Sequence, residues 1–205
     1  MIELWTLLTF VPAALALNLT PGADMMFCLG QGLRAGPRAA MAASAGISLG
    51  VLVHVALAAL GLGALVAALP WLFDAIRWAG VAYLMVLALG ALRAGPMRAK
   101  GRPLSAARAF REGLVVNLTN PKVIFFVLAF LPQFVDPSHA LLPQFAVFGT
   151  ILGFGGLVIN GAVGMFAGSF GRMIAGSARF NRALGIVSAC IFTALAVRLA
   201  VLERV

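Results

Sequence analysis

The sequence predicts an all-α integral membrane protein: six transmembrane helices arranged as two inverted three-helix repeats, with a broken first helix in each half. Three observations predict it. Of 205 residues, 62% are hydrophobic and 10% charged, and the mean hydropathy of +1.05 lies outside the range of soluble domains. Residues 4–23, 39–73 and 137–171 contain no Asp, Glu, Lys or Arg, and each run is long enough to cross a hydrocarbon core of roughly 30 Å, which takes about 20 helical residues. A polar, helix-breaking motif occurs twice, as Asn18-Leu19-Thr20-Pro21-Gly22-Ala23-Asp24 and, 99 positions later, as Asn117-Leu118-Thr119-Asn120-Pro121-Lys122.

The segments follow in order. The first covers residues 4–33 and breaks at Pro21-Gly22; the second covers 39–69 and the third 72–92. The fourth covers 109–131, the fifth 140–170 and the sixth 183–202. All are read as helices, because lipid offers backbone groups no water and these apolar runs are too long for barrel strands. The first is read as a span and not as a cleaved secretory signal, since Met1-Ile2-Glu3 supplies no basic residue ahead of it. Three units result: a first repeat over 1–93, a basic cytoplasmic linker over 94–108 marked by Gly95-Pro96, Gly101 and Pro103, and a second repeat over 109–205.

Basic residues give the orientation, because Lys- and Arg-rich loops stay cytoplasmic. The connection between segments three and four holds Arg93, Arg98, Lys100, Arg102, Arg108 and Arg111, the first connection Arg34 and Arg38, and the fifth Arg172, Arg179 and Arg182. The second connection holds only Asp74 with Arg77, and the fourth holds Asp136 and His139 with no Lys or Arg. Both termini are therefore expected on the outer face, with Arg198 reaching to the headgroups. This distribution accounts for the net charge of +9 as membrane topology, so no nucleic-acid partner is expected. The lipid bilayer is the expected surrounding, with Trp5, Trp71 and Trp78 at its outer interface.

With this topology the two motifs lie midway along segments of opposite direction, the arrangement secondary transporters use to build a midplane site. A proline inside a helix removes one donor and frees the carbonyl a turn earlier, and Gly22 adds backbone freedom. Asn18, Thr20, Asn117, Thr119 and Asn120 can satisfy those groups or bind a substrate. Asp24 and Lys122 are lone charges within apolar segments, which are costly unless paired or hydrated. Either they form an internal ion pair, or they face one cavity in which a small zwitterion exchanges with that pair and Asp24 carries a proton. His54 and Asn160 are further polar residues within segments two and five, open to packing or to proton and substrate handling. The glycines around Asn160, like Gly46 and Gly50, are read as sites of close helix packing. Both Asn-Leu-Thr triplets match a glycosylation sequon, which membrane burial disfavours.

A second function class is open. Cys28 and Cys190 could form an intramembrane thiol-redox carrier, although no cysteine matches Cys28 in the second half and buried small hydrophobes are the plainer reading. Metal efflux is disfavoured, because two histidines without an intramembrane carboxylate cluster make no metal site. Nothing in the sequence asks for a cofactor.

Taken in order, the first motif, Gly32-Leu33-Arg34-Ala35-Gly36, Gly46-Ile47-Ser48-Leu49-Gly50 and Val53-His54 with Ala58-Ala59-Leu60-Gly61-Leu62 resemble the first half of LysE/RhtB amino-acid exporters. Phe110-Arg111-Glu112-Gly113, the second motif and Phe130-Leu131-Pro132-Gln133-Phe134-Val135 are similar to that family's second half. The resemblance spans essentially the whole chain. One departure is Ala23, where the family's first motif often reads Pro-Gly-Pro. The resemblance implies a transporter and not an enzyme: a multi-pass exporter of amino acids or small derivatives in the bacterial inner membrane, driven by proton motive force. It supports Asp24, Lys122 and the two breaks, Pro21-Gly22 and Pro121, as the site. The small chain suggests a homodimer.

Overall fold

The protein is seen here as a computed structural model, which describes residues 2–68, 70–93, 102–136, 138–168 and 177–201. Most of the expected linker, including Gly95, Pro96, Arg98, Lys100 and Gly101, lies outside the described residues, as do Arg172 and Glu203. Among those described, all regular structure is helical: α1 (Leu4–Leu19), α2 (Ala23–Ala35), α3 (Pro37–Ala68), α4 (Pro70–Arg93), α5 (Ala106–Leu118), α6 (Pro121–Phe125), α7 (Leu141–Met165) and α8 (Ala178–Val201). Beyond α6 the chain continues as a π turn over Phe126–Phe130 and a 3-10 turn over Leu131–Phe134.

Among the described residues, four helices are long and apolar enough to cross a membrane unaided, with spans Pro37–Gly61, Asp74–Arg93, Leu141–Met165 and Arg182–Val201. The other two expected spans are both bent. α1 and α2 meet at 52°, and α5 meets the segment Pro121–Phe134 at 53°. With each bent pair taken as one span, the count reaches the six read from the sequence. The bends fall at Thr20-Pro21-Gly22 and at Thr119-Asn120, where the motifs had placed them. The helix ends differ from expectation by a few residues. α5 begins at Ala106, inside the stretch assigned to the linker, and the fifth segment ends its α-helix at Met165.

The interior has two regions along the helices. At one end, Phe10 of α1, Phe126, Phe130 and Phe134 around the π turn, and Phe148 of α7 form one aromatic cluster with ring centroids 4.6 to 6.4 Å apart. At the other, small residues let backbones touch. A Cβ on Gly46 would overlap the Phe110 carbonyl of α5, one on Gly113 the Ala43 carbonyl of α3, and one on Gly32 the Gly164 carbonyl of α7. Close approach of this kind is how membrane helices gain packing energy where no hydrophobic effect separates lipid from side chain. Outward faces carry Leu57, Leu60, Phe154 and Val197 among many exposed apolar residues, which suits contact with acyl chains. Trp5, Trp71 and Trp78 are exposed as well.

Candidate functional site

The two breaks meet, and each creates a carbonyl without a helical partner. Pro21 has no N–H to give Leu17, four residues earlier, while Thr20 leaves α1 in an extended conformation. Both carbonyls are taken by the other half of the chain: Lys122 Nζ donates to Leu17 O at 2.8 Å and to Thr20 O at 3.0 Å. Pro121 does the same to Asn117 O, which accepts from the Asn120 backbone N–H at 2.9 Å and from His54 Nε2 at 3.3 Å. Since a carbonyl only accepts, that contact assigns the ring proton to Nε2.

The charges also suit the helix ends beside them. The Lys122 ammonium sits at the C-terminus of α1, the negative end of that helix dipole, and Asp24 occupies the first turn of α2, the positive end. Asp24 Oδ2 accepts from Asn117 Nδ2 at 2.9 Å, a buried bond joining the two motifs. Among the described residues, Asp24 and Lys122 form no ion pair with each other. The ion-pair alternative is thus replaced by two separate neutral partners. Asn120 caps α6, its Oδ1 accepting from the Lys122 backbone N–H at 3.1 Å, with Pro121 at the first helical position where its missing N–H costs nothing.

Asp24 and Lys122 line one cavity together with Leu17, Asn18, Met25, Ile47, Val51, Val123, Gly156 and Asn160. Its open volume is about 10 Å³, room for about one water. Asn18 donates its amide to Leu152 O at 3.1 Å, and Gly156 lets α7 approach it, since a Cβ there would stand 3.2 Å from Asn18 Oδ1. Gly22 lies against the ammonium: a Cβ on it would stand 3.3 Å from Lys122 Nζ. Two enclosed acceptors on this wall, Asp24 Oδ1 and Asn160 Oδ1, have no hydrogen-bond partner.

The sequence-predicted residues therefore fall into two groups. Asn18, Asp24, Lys122 and Asn160 form the wall, and Gly22, Asn117 and His54 support it from behind. Thr20 bonds its own helix at Ala16 O and gives the wall its carbonyl, not its hydroxyl. Thr119 is exposed and bonds back to Val115 O at 2.9 Å, so it stands apart from the cavity, and Pro121 is exposed too. Residues not read as part of the site in the sequence complete the wall, chiefly the Leu17 carbonyl, Met25, Ile47 and Gly156, the last read there as a packing glycine. The signal for Leu17 was available, because Pro21 stands four residues after it. Cys28 is buried beside Ala39 and Ala43, Cys190 is exposed on α8, and both thiols are free. The thiol-redox alternative finds no support in that arrangement.

Comparison with known proteins adds a family. The family model described as LysE type translocator matches residues 15–203. An uncharacterized membrane protein of Vibrio cholerae is 37% identical over 151 residues, covering 72% of this chain and 73% of the relative. A homoserine/homoserine lactone efflux protein of Salmonella typhimurium is 35% identical over 136 residues, covering 65% and 66%. A leucine efflux protein of Klebsiella pneumoniae is 34% identical over 147 residues, covering 69% and 68%. No solved structure matches the chain.

Proposed function

The chain belongs to the LysE type translocator family, and from that premise we propose that it exports small amino acids or their derivatives from the bacterial cytoplasm. The observation that carries this reading is the single cavity at the meeting point of both helix breaks, walled by a carboxylate, an ammonium and two asparagines. Such groups gathered amid apolar helices suit a small polar solute that arrives with its own hydrogen-bonding groups. Relatives named for efflux of homoserine, homoserine lactone and leucine support the substrate class.

The mechanism follows from closure. With room for about one water, the cavity admits an amino acid only after helices part, so transport works by alternating access. The moving bodies are two inverted repeats, residues 1–93 and 109–205, joined by the linker 94–108; the equal bends of 52° and 53° support this division. The basic loops support an orientation with both termini outside. Asp24 is the coupling residue: one oxygen is held by Asn117 and the other is open to take either a proton or the substrate's ammonium.

Purified protein in liposomes loaded with labelled leucine or homoserine, with an imposed proton gradient, tests the reading. Gradient-stimulated flux is expected, and Asp24→Asn should lower it at least about tenfold, the factor a lost charged hydrogen bond makes. Absence of flux for every amino acid tried would remove the exporter reading. Full activity in Asp24→Asn would remove Asp24 from it.

A further inference from the structure

We propose that the cavity reads its substrate by the ammonium group, so that primary amines lacking a carboxylate, such as amino-acid amides, occupy it as amino acids do. The proposal rests on the exporter reading and names which end of the zwitterion the site recognises. Its open charged group is an acceptor. Asp24 is 6% exposed and Asn160 4%, and the enclosed Asp24 Oδ1 and Asn160 Oδ1 on the cavity wall have no donor. Buried acceptors in this state are costly until a donor arrives, most of all a carboxylate oxygen. An ammonium brings three donors and the opposite charge.

The charged donor of the wall is largely committed, and the neutral Asn160 amide is the side-chain amide left open. Among the described residues of the wall, Lys122 is the one cation, and its ammonium holds Leu17 O and Thr20 O. Two of its three N–H groups are spent there, and moving the ammonium off toward a substrate carboxylate would strip both carbonyls at a depth where water does not replace it. The C-terminal end of α1 favours its staying, and the Gly22 backbone closes over it. The amide of Asn18 is given to Leu152 O and that of Asn117 to Asp24. Asn120 Nδ2 is an enclosed donor without a partner, but Asn120 is not on the cavity wall. Lys122 is thus a positioning residue that braces the first break from the second half of the chain.

Competition against labelled leucine and labelled homoserine in proteoliposomes of the full chain tests this. Leucinamide keeps the ammonium and loses the carboxylate; N-acetylleucine does the reverse. Leucinamide should inhibit exchange at a concentration within about threefold of unlabelled leucine, and N-acetylleucine should need at least about tenfold more, as expected for loss of a charged hydrogen bond. Inhibition by N-acetylleucine at the level of leucine, or none by leucinamide, overturns the proposal and leaves the exporter reading standing. Exchange of no amino acid removes that reading, and the proposal falls with it. Lys122→Met gives a second readout: the ratio of leucinamide to leucine inhibition should stay as in the native protein. A variant that loses leucine but keeps leucinamide would show Lys122 reading the carboxylate, and the proposal would be wrong. Should Lys122→Met not fold, the analogue panel on the native protein still decides.

Discussion

Asp24 and Lys122 were legible in the sequence as charges inside apolar runs, yet their partners were not. The pattern of a lone acid and a lone base in one membrane suggests a pair, whereas the fold gives Asp24 an asparagine amide and Lys122 two backbone carbonyls. The reason is local. Each proline leaves carbonyls bare on the preceding turn, and the nearest strong donor in hydrocarbon is a side chain from across the interface. Another acid and base, Asp136 and His139, do pair, but on the exposed loop before α7. There Asp136 Oδ1 accepts from Ser138 N at 2.8 Å and Ser138 Oγ at 2.6 Å, and Oδ2 lies 2.9 Å from His139 Nδ1. The Ser138 hydrogen bonds first, and His139 after them, hold this carboxyl down from its ordinary 3.8 to about 2. Because the folded value is the depressed one, whatever order the pair lends the loop is complete above about pH 4 and is lost as pH falls through about 2. Carboxylate NMR of the labelled protein should show Asp136 titrating near that value, and Ser138→Ala should move the midpoint upward toward 3.8. A midpoint unmoved by the substitution would discount the Ser138 bonds.

Among the elements, the apolar runs and the two prolines were enough to place six segments and both bends, because hydropathy reports burial and proline reports lost hydrogen bonds. What they could not report is helix register. Phe126-Val127-Leu128-Ala129-Phe130 reads as one more apolar stretch, but it winds as a π turn ahead of Pro132. Pro132 cannot give Leu128 O its usual donor, and the chain leaves the α register on both sides of it. That change helps bring Phe126, Phe130 and Phe134 into the aromatic cluster with Phe10 and Phe148. Helix distances were equally hidden: Gly46 could be read as a packing residue, but not that it faces the Phe110 carbonyl of α5. Gly46→Ala drives a methyl group into backbone, which has no rotamer to escape through, so a loss of roughly 1–3 kcal/mol is expected. Thermal unfolding in detergent should show a lower midpoint. Gly90→Ala is the contrast, since a Cβ there meets nothing within 4 Å; its midpoint should hold or rise slightly, as alanine restricts the unfolded chain. Equal effects at both sites would mean that the α3 to α5 contact contributes little.

At the scale of the whole molecule, the helices are packed by different means on the two sides of the cavity. The end toward the loop of Asp136 is packed by aromatic side chains, which can part by rotamer changes, and the opposite end by glycine contacts between backbones, which part only if helices move. Which end faces the cytoplasm then decides how substrate enters. The proposed topology follows the basic residues, since Arg102 and Arg108 lie in the linker and Arg93 and Arg111 flank it, on the glycine side, while the loop of Asp136 has neither Lys nor Arg. Gln31 ties that basic linker to α2 as well, donating to Arg102 O at 3.0 Å and accepting from Leu104 N at 3.1 Å. An exporter oriented this way loads through parting helices and discharges past the phenylalanines. Single cysteines test the orientation in a background of Cys28→Ala and Cys190→Ser. Ser138→Cys, on an exposed loop residue, should react in intact cells with a membrane-impermeant maleimide, and Ser105→Cys, exposed before α5, should react only after the membrane is opened. The reverse pattern would invert the topology and make the aromatic end the cytoplasmic entrance.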